Sequence, residues 1–126
     1  MSKKSLRIAI ADDEVDMRDY LQKVLTRWGH LVVGIAETGS QLVAECQRTI
    51  PDLVITDLKM PDGDGVSAIE QIWQVHSVPV IIISAFAQDI PQWLMSRTLL
   101  AAVLIKPIKT TDLEPIITRI AAPPLP

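Results

Sequence analysis

A second cysteine, a surplus of basic charge and an apolar run long enough to cross a bilayer are all missing from this chain of 126 residues. Cys46 stands alone, so it has no partner for a disulfide within the chain; on the apolar side of a helical stripe it reads as a small core residue, not a reactive thiol. The formal net charge is −3, which argues against a broad electrostatic footprint for nucleic acid. The basic start Met1-Ser2-Lys3-Lys4-Ser5 leads into an apolar stretch that Arg7 interrupts and Asp12 ends. That stretch is too short for a signal peptide or a membrane span, and a cytoplasmic protein is expected. No internal repeat is found, and no low-complexity segment precedes the proline-rich end. With 48% apolar and 21% charged residues, general disorder is excluded. The length suits one domain that buries roughly two thirds of its unfolded surface without a disulfide or structural metal.

What the chain does have is a repeated switch between two periods. Leu6 to Ala11 reads as a strand that stops at Asp12-Asp13-Glu14. From Val15 onward Met17, Tyr20, Leu21, Val24, Leu25 and Trp28 recur at three and four residues, the stripe of an amphipathic helix, with Gly29 as its C-terminal cap. Leu31 to Ile35 makes a second strand. Thr38 followed by Gln41 has capping-box spacing for a second helix with Leu42, Ala44, Cys46 and Val43 near its buried side, closed by Pro51. Val54 and Ile55 belong to a third strand ending in Asp57; after a Gly63-Asp64-Gly65 turn, Val66, Ile69, Ile72 and Trp73 form a third helical stripe. Val78 to Ser84 is the most apolar run and is expected at the centre of its sheet, with Pro79 tolerated at the entry.

Asp89 and Pro91 announce a fourth helix packed through Trp93, Leu94 and Leu100. Ala101 to Ile105 is a short fifth strand. Thr111 with Glu114 begins the last helix, whose buried side is Leu113, Ile116, Ile117 and Ile120. Strands alternating with helices in this way predict an α/β domain with a parallel sheet over residues 1–122. Residues 123–126, all proline apart from Leu125, read as a tail or the start of a linker.

Four strands end in a chemically useful group: Asp12 and Asp13, Asp57, Ser84, and Lys106. A parallel sheet puts all strand C-termini on one edge, where open α/β folds bind ligands. Carboxylates drawn together there repel and either retain a proton or recruit a cation. An oxygen-only set suits Mg²⁺ better than zinc, because no His or Cys stands at these positions. His30 and His76 fall away from that edge and read as surface or packing residues. A Mg²⁺ flanked by Lys106 and the Ser84 hydroxyl would hold a phosphoryl group for in-line attack by Asp57, giving an acyl phosphate. Each residue has a plainer reading: a turn for Asp57, a helix N-cap for Asp12 or Asp13, a strand-end hydroxyl for Ser84, a solvated charge for Lys106. Their coincidence at four strand ends favours the phosphoryl site.

Asp12-Asp13, Asp57 with Met60-Pro61 and Asp64-Gly65 behind it, Ser84-Ala85 and Lys106-Pro107 together resemble the receiver domain of two-component response regulators, over almost the whole chain. The resemblance implies a flavodoxin-like (βα)5 fold, strand order 2-1-3-4-5, with helices on both faces. It implies phosphoryl transfer from a histidine kinase or phosphotransfer protein onto Asp57. Mg²⁺ would be held by Asp13, Asp57 and the Lys59 backbone carbonyl, with Asp12 acting mostly through water. Ser84 and Lys106 would bind phosphoryl oxygens, and the Lys106-Pro107 bond would be cis. Such a protein catalyses only its own phosphotransfer and dephosphorylation, and it signals to a downstream protein, here unknown, through altered contacts. Ile82 to Asp89, Lys106 to Ile108 and Leu113 to Ile116 also look similar to the receivers of ANTAR-type antiterminators, whose output domain is not present here.

The chain departs from the family pattern in places. Val103 stands where an aromatic is usual, so the coupling of Ser84 to the surface lacks its large rotor. Leu99-Leu100-Ala101-Ala102 replaces a common glycine; with Trp93, Met95 and Val103 it makes this side unusually apolar, either extra core or a partner surface. Receivers often dimerise through the fourth helix, fifth strand and fifth helix, and the sequence permits a homodimer there. Lys59 and Phe86 flank the water route to Asp57 and would shield an acyl phosphate. One rival keeps the fold as a phosphorylation-independent docking module. Another is a Mg²⁺-dependent phosphohydrolase, which would want an aspartate where Lys59 stands. A dinucleotide-binding protein would want a glycine-rich turn where Asp12-Asp13-Glu14 stands.

Overall fold

The computed structural model describes residues 4–61 and 65–122. Strands β1 (Arg7–Ala11), β2 (Leu31–Ala36), β3 (Leu53–Asp57), β4 (Val80–Ser84) and β5 (Leu100–Ile105) alternate with helices α1 (Val15–Arg27), α2 (Gly39–Thr49), α3 (Gly65–Trp73), α4 (Gln92–Met95) and α5 (Thr110–Ala121), and a 3-10 turn spans Ala87–Asp89. The pairings are parallel and the order is β2-β1-β3-β4-β5, the flavodoxin-like (βα)5 arrangement. The central strands β3 and β4 are buried along their whole length, which is why they read as nearly unbroken apolar runs. The edge strand β5 is only half-buried over Leu100 to Leu104.

Side chains alternate between two cores, as the period of a strand requires. Ala9, Val54, Val80 and Ile82 meet Leu42 and Cys46 of α2, Ile69 and Ile72 of α3, and Leu94 of α4. Ile8, Ile10, Ile55, Ile81 and Ile83 meet Leu21 and Leu25 of α1 and Leu113 and Ile117 of α5. Burial pushes the Cys46 thiol up to about 12, in keeping with a core role. His30 is buried as a packing residue, its Nδ1 accepting from the Leu6 N–H at 3.0 Å.

Local chemistry sets the helix ends. The Thr38 hydroxyl accepts from Gln41 N at 3.1 Å, and Gln41 Oε1 accepts from Glu37 N at 2.8 Å, a reciprocal cap at the start of α2. α2 ends at Ile50 with φ +48, a left-handed conformation unusual for a β-branched residue. Pro51 disfavours continued helix there, and the Arg7 guanidinium ties down the Thr49 and Ile50 carbonyls at 2.7 and 2.9 Å. Gly29, with φ +92, turns the chain out of α1 as expected.

Several expected boundaries move. α4 is a single turn that stops at Met95, because the Ser96 hydroxyl bonds back to the Trp93 carbonyl and Leu100 is captured by the ladder opposite Val80. Leu100 therefore opens β5 instead of packing a helix, and Trp93 is 44% exposed. α5 starts at Thr110, not Thr111: Lys109 is the N-cap, and its carbonyl accepts from both Asp112 N and Leu113 N. Ala44 faces solvent, since Leu42 and Cys46 already fill the stripe. β2 runs one residue further, to Ala36, in register with Ala11. β1 and β4 start later than read, at Arg7 and Val80; the Leu6 donor goes to His30 instead of the ladder, and Pro79 contributes only its carbonyl, to Val54 N. Gly63 and Asp64 of the expected turn, and the tail at 123–126, lie outside the described residues. Among the described residues no helix is long and apolar enough to cross a membrane.

Candidate functional site

The C-terminal edge of the sheet gathers charge from three strands. Asp57 is the last residue of β3 and is buried; its Oδ1 accepts from Leu58 N at 2.7 Å and Lys59 N at 3.2 Å, and its carbonyl from the Thr56 hydroxyl at 2.7 Å. Gly65, the first residue of α3, donates its N–H to the Leu58 carbonyl at 2.7 Å, bringing α3 against the backbone beneath Asp57. A Cβ at Gly65 would collide with the Asp57 carbonyl oxygen and lie 2.9 Å from Leu58 Cα, so the close approach admits only glycine.

Asp12 follows β1 directly. Its N–H bonds to the Ala36 carbonyl at 3.1 Å, and its Oδ1 accepts from Glu14 N at 2.9 Å. Its carbonyl accepts from Arg18 Nη1 at 2.9 Å, while Arg18 Nη2 pairs with Glu37 at 3.1 Å. Lys106 follows β5; its backbone N–H bonds to the Ser84 carbonyl at 2.8 Å, and the peptide bond to Pro107 is cis. From there its Nζ reaches Asp57 Oδ2 at 2.9 Å, Glu14 Oε1 at 2.9 Å and Asp12 Oδ2 at 3.1 Å.

Burial pushes the Asp12 carboxyl above the usual 3.8. The Glu14 N–H and Lys106 counteract this, and the charge of Asp57 adds to it. Burial works against the Lys106 ammonium, but hydrogen bonds to Asp57 and Glu14 and the adjacent Asp12 carboxylate outweigh it and raise its pKa above the usual lysine range.

Asp12, Asp13, Glu14 and Asp57 each offer a carboxylate oxygen, and these atoms lie within 4.8 Å of one another. Asp12 Oδ2 is buried with no aligned hydrogen bond, although Lys106 stands beside it. An all-oxygen, anionic donor set with a buried oxygen unsatisfied fits a hard divalent cation such as Mg²⁺.

Of the residues singled out in the sequence, Asp12, Asp57 and Lys106 are in direct contact, and Asp13 joins the acidic group from an exposed position. Ser84 is buried at the end of β4, but its hydroxyl is turned to its own loop, donating to the Phe86 carbonyl at 3.1 Å and accepting from Phe86 N at 3.3 Å. Lys59 sends its side chain outward, 3.5 Å from Asp89 and 6.0 Å from the centre of the Phe86 ring. Sequence reasoning passed over Glu14 and Arg18. The signal for Glu14 was its place immediately after the acidic pair; for Arg18 only the fold shows that one turn of α1 brings it back over Asp12.

The sequence profile of the response regulator receiver domain matches residues 8–118. The transcriptional regulatory protein PdtaR of Mycobacterium tuberculosis is 36% identical over 112 residues, covering 88% of this chain and 54% of that protein. Chemotaxis protein CheY of Bacillus subtilis is 39% identical over 84 residues, 66% of this chain and 70% of CheY. The chain thus spans about half the length of PdtaR. Among solved structures, the response regulator PhyR from Brucella abortus superposes with a TM-score of 0.82 at 26% identity, over 94% of this chain and 49% of PhyR. A CheY-like receiver domain from Methylobacillus flagellatus gives 0.81 at 22% identity, over 94% and 99%, a likeness of fold. A profile that runs from β1 into α5, on a sheet of order 2-1-3-4-5 with its acidic pair, aspartate and lysine on one edge, makes this chain a member of the response regulator receiver domain family.

Proposed function

We propose that residues 1–122 form a phosphorylatable switch, with 123–126 as a tail or linker, and that Asp57 is the phosphoacceptor. The observation that carries this reading is the buried Asp57 carboxylate held by Lys106 at 2.9 Å beside Asp12 at the edge of the sheet. An Asp57 oxygen attacks the phosphorus of a phosphohistidine on a histidine kinase or phosphotransfer protein. The P–O bond forms as the P–N bond breaks, and the electron pair leaves on the imidazole nitrogen, which takes a proton from solvent. Lys106 places positive charge where phosphoryl oxygens gather, and Ser84 donates its hydroxyl to one of them once it turns from Phe86. Mg²⁺, held by Asp12, Asp13, Asp57 and the Lys59 carbonyl, would neutralise the oxygens of the transferred group. Output passes to a downstream protein through contacts. The exposed Trp93, Met95 and Ile105 around α4 and β5 support a role for that face in association, including a homodimer.

The test is intact mass after incubation with Mg²⁺ and acetyl phosphate, wild type beside Asp57→Asn, followed by size-exclusion chromatography. One phosphate is expected on wild type alone, and a larger species in the same sample would assign the apolar face to phosphorylation-driven association. Equal labelling of Asp57→Asn would overturn the assignment. No adduct from acetyl phosphate or from a phosphorylated kinase, with Mg²⁺ bound, would favour the docking-module reading.

A further inference from the structure

Among the contacts of Lys106, one carboxylate differs from the others. Asp57 and Asp12 are buried, whereas the Glu14 side chain is 64% exposed. Yet Glu14 takes a full hydrogen bond from Nζ at 2.9 Å, equal to that of Asp57, while Asp12 Oδ2, at 3.1 Å, is left without an aligned one. The exposed glutamate draws the ammonium outward, away from a buried carboxylate that lacks a donor. Of the three N–H bonds a lysine has to give, two go to Asp57 and Glu14 and the third is held on the side of Asp12 by the ion pair at 3.1 Å. A phosphoryl group on Asp57 adds anionic oxygens at this point, and Lys106 must turn a donor to them. The Glu14 bond is the least costly to release, because its carboxylate returns directly to water, whereas turning away from Asp12 strands a buried charge, and Asp57, once bonded to the phosphoryl group, no longer competes as a carboxylate.

We propose that Glu14 is a positioning residue for the phosphoryl site: a displaceable stand-in for a phosphoryl oxygen, which holds Lys106 at the mouth of the site and yields its place when the phosphoryl group arrives. This rests on Asp57 being the phosphoacceptor. Glu14 then opposes occupancy of the site by the amount of its bond to Lys106, and the contact itself, not merely its charge, is responsible.

Beryllofluoride with Mg²⁺ serves as the probe, its half-saturating concentration read by ¹⁹F NMR on wild type, Glu14→Gln and Glu14→Asp, with Mg²⁺ affinity measured separately by calorimetry. Glu14→Gln removes the charge; Glu14→Asp keeps it but shortens the reach. At saturating Mg²⁺ both variants are expected to tighten beryllofluoride binding about two- to fivefold, the range of an exposed ion pair, with the gain shrinking as salt screens the pair in wild type. Tightening by Glu14→Gln alone would show a charge effect and overturn the proposal. So would unchanged or weaker binding in both variants at saturating Mg²⁺, or a loss of Mg²⁺ affinity in Glu14→Asp as large as in Glu14→Gln, which, with the charge kept in the aspartate, would make Glu14 a ligand. Should wild type take neither beryllofluoride nor phosphate, the phosphoacceptor reading falls and this inference with it; binding by wild type with indifferent variants sinks this inference alone.

Discussion

Gly65→Ala tests the packing beneath Asp57, because two ordinary effects predict opposite signs. Gly65 opens α3 with no unusual φ, and replacing a helical glycine by alanine usually stabilises by roughly 0.5–1 kcal/mol. Here the new Cβ would meet the Asp57 carbonyl oxygen, with Leu58 Cα at 2.9 Å and the Asp57 carbonyl carbon at 3.3 Å, all backbone atoms that cannot swing aside. Overpacking against an immovable wall costs about 1–3 kcal/mol, so the net expectation is a loss of about 1–2 kcal/mol. For a chain of this size that lowers Tm by about 3–10 °C. Relief of the clash must move the β3–α3 backbone, and with it the Asp57 carboxylate; a displacement near 1 Å would slow phosphorylation by up to roughly a hundredfold. Urea unfolding should show a lower midpoint at unchanged slope, and the phosphorylation rate should be corrected for the folded fraction. Gly29→Ala is the control: with φ +92 and nothing within 4 Å of the added carbon, it costs roughly 1–2 kcal/mol through backbone conformation alone and leaves phosphorylation unchanged. A Gly65→Ala protein as stable as wild type, with normal phosphorylation, would refute the steric argument.

Asp12 carries a folded-state pKa above its unfolded 3.8, so the native state holds this proton more tightly than the unfolded chain; the associated stabilisation is complete below 3.8 and is lost as pH rises through the folded value. In EDTA, Asp12→Asn should therefore melt above wild type at pH 7, with the gap narrowing as pH falls toward 4, while added Mg²⁺ should stabilise wild type more than the variant. A gap independent of pH, or of the opposite sign at pH 7, would contradict this. Phe86 is exposed beside Lys59 at the loop that follows Ser84; were its ring to shield an acyl phosphate on Asp57, Phe86→Ala, once phosphorylated, would lose phosphate faster than wild type, and an equal half-life would remove the shielding role.

How far the sequence discloses this molecule depends on how many structures a given residue can serve. Val54 and Ile55, or Ile81 to Ile83, are buried on both faces of a parallel sheet, and a short apolar run ending in a polar residue has little else to be. Strand order is different: no periodicity distinguishes 2-1-3-4-5 from its alternatives, and it came from the resemblance. Leu100 can satisfy either a helix or a strand, and the decision was made by the β4 ladder and by Ser96, neither visible in apolar spacing. The convergence of Asp12, Asp57 and Lys106 follows from parallel topology alone. The bond between Glu14 and Lys106 does not, because an exposed glutamate after two aspartates reads as one more solvated charge until a lysine from 92 residues away is brought to it.

The shortness of α4 bears on how steady the site is in time. β3 and β4 are covered on both sides, whereas β5, packed by α5 on one face but by only a single helical turn on the other, is half-exposed from Leu100 to Leu104. Amides with so little cover exchange with solvent through small local openings, ahead of the global unfolding that limits the inner strands. Lys106 is the next residue after this strand, so the cation that holds Asp57 is carried by a thinly covered edge of the sheet. A protein seated on β5 would suppress those openings and steady the ammonium against Asp57, and by reciprocity a group bound at Asp57 would strengthen that protein's hold on β5.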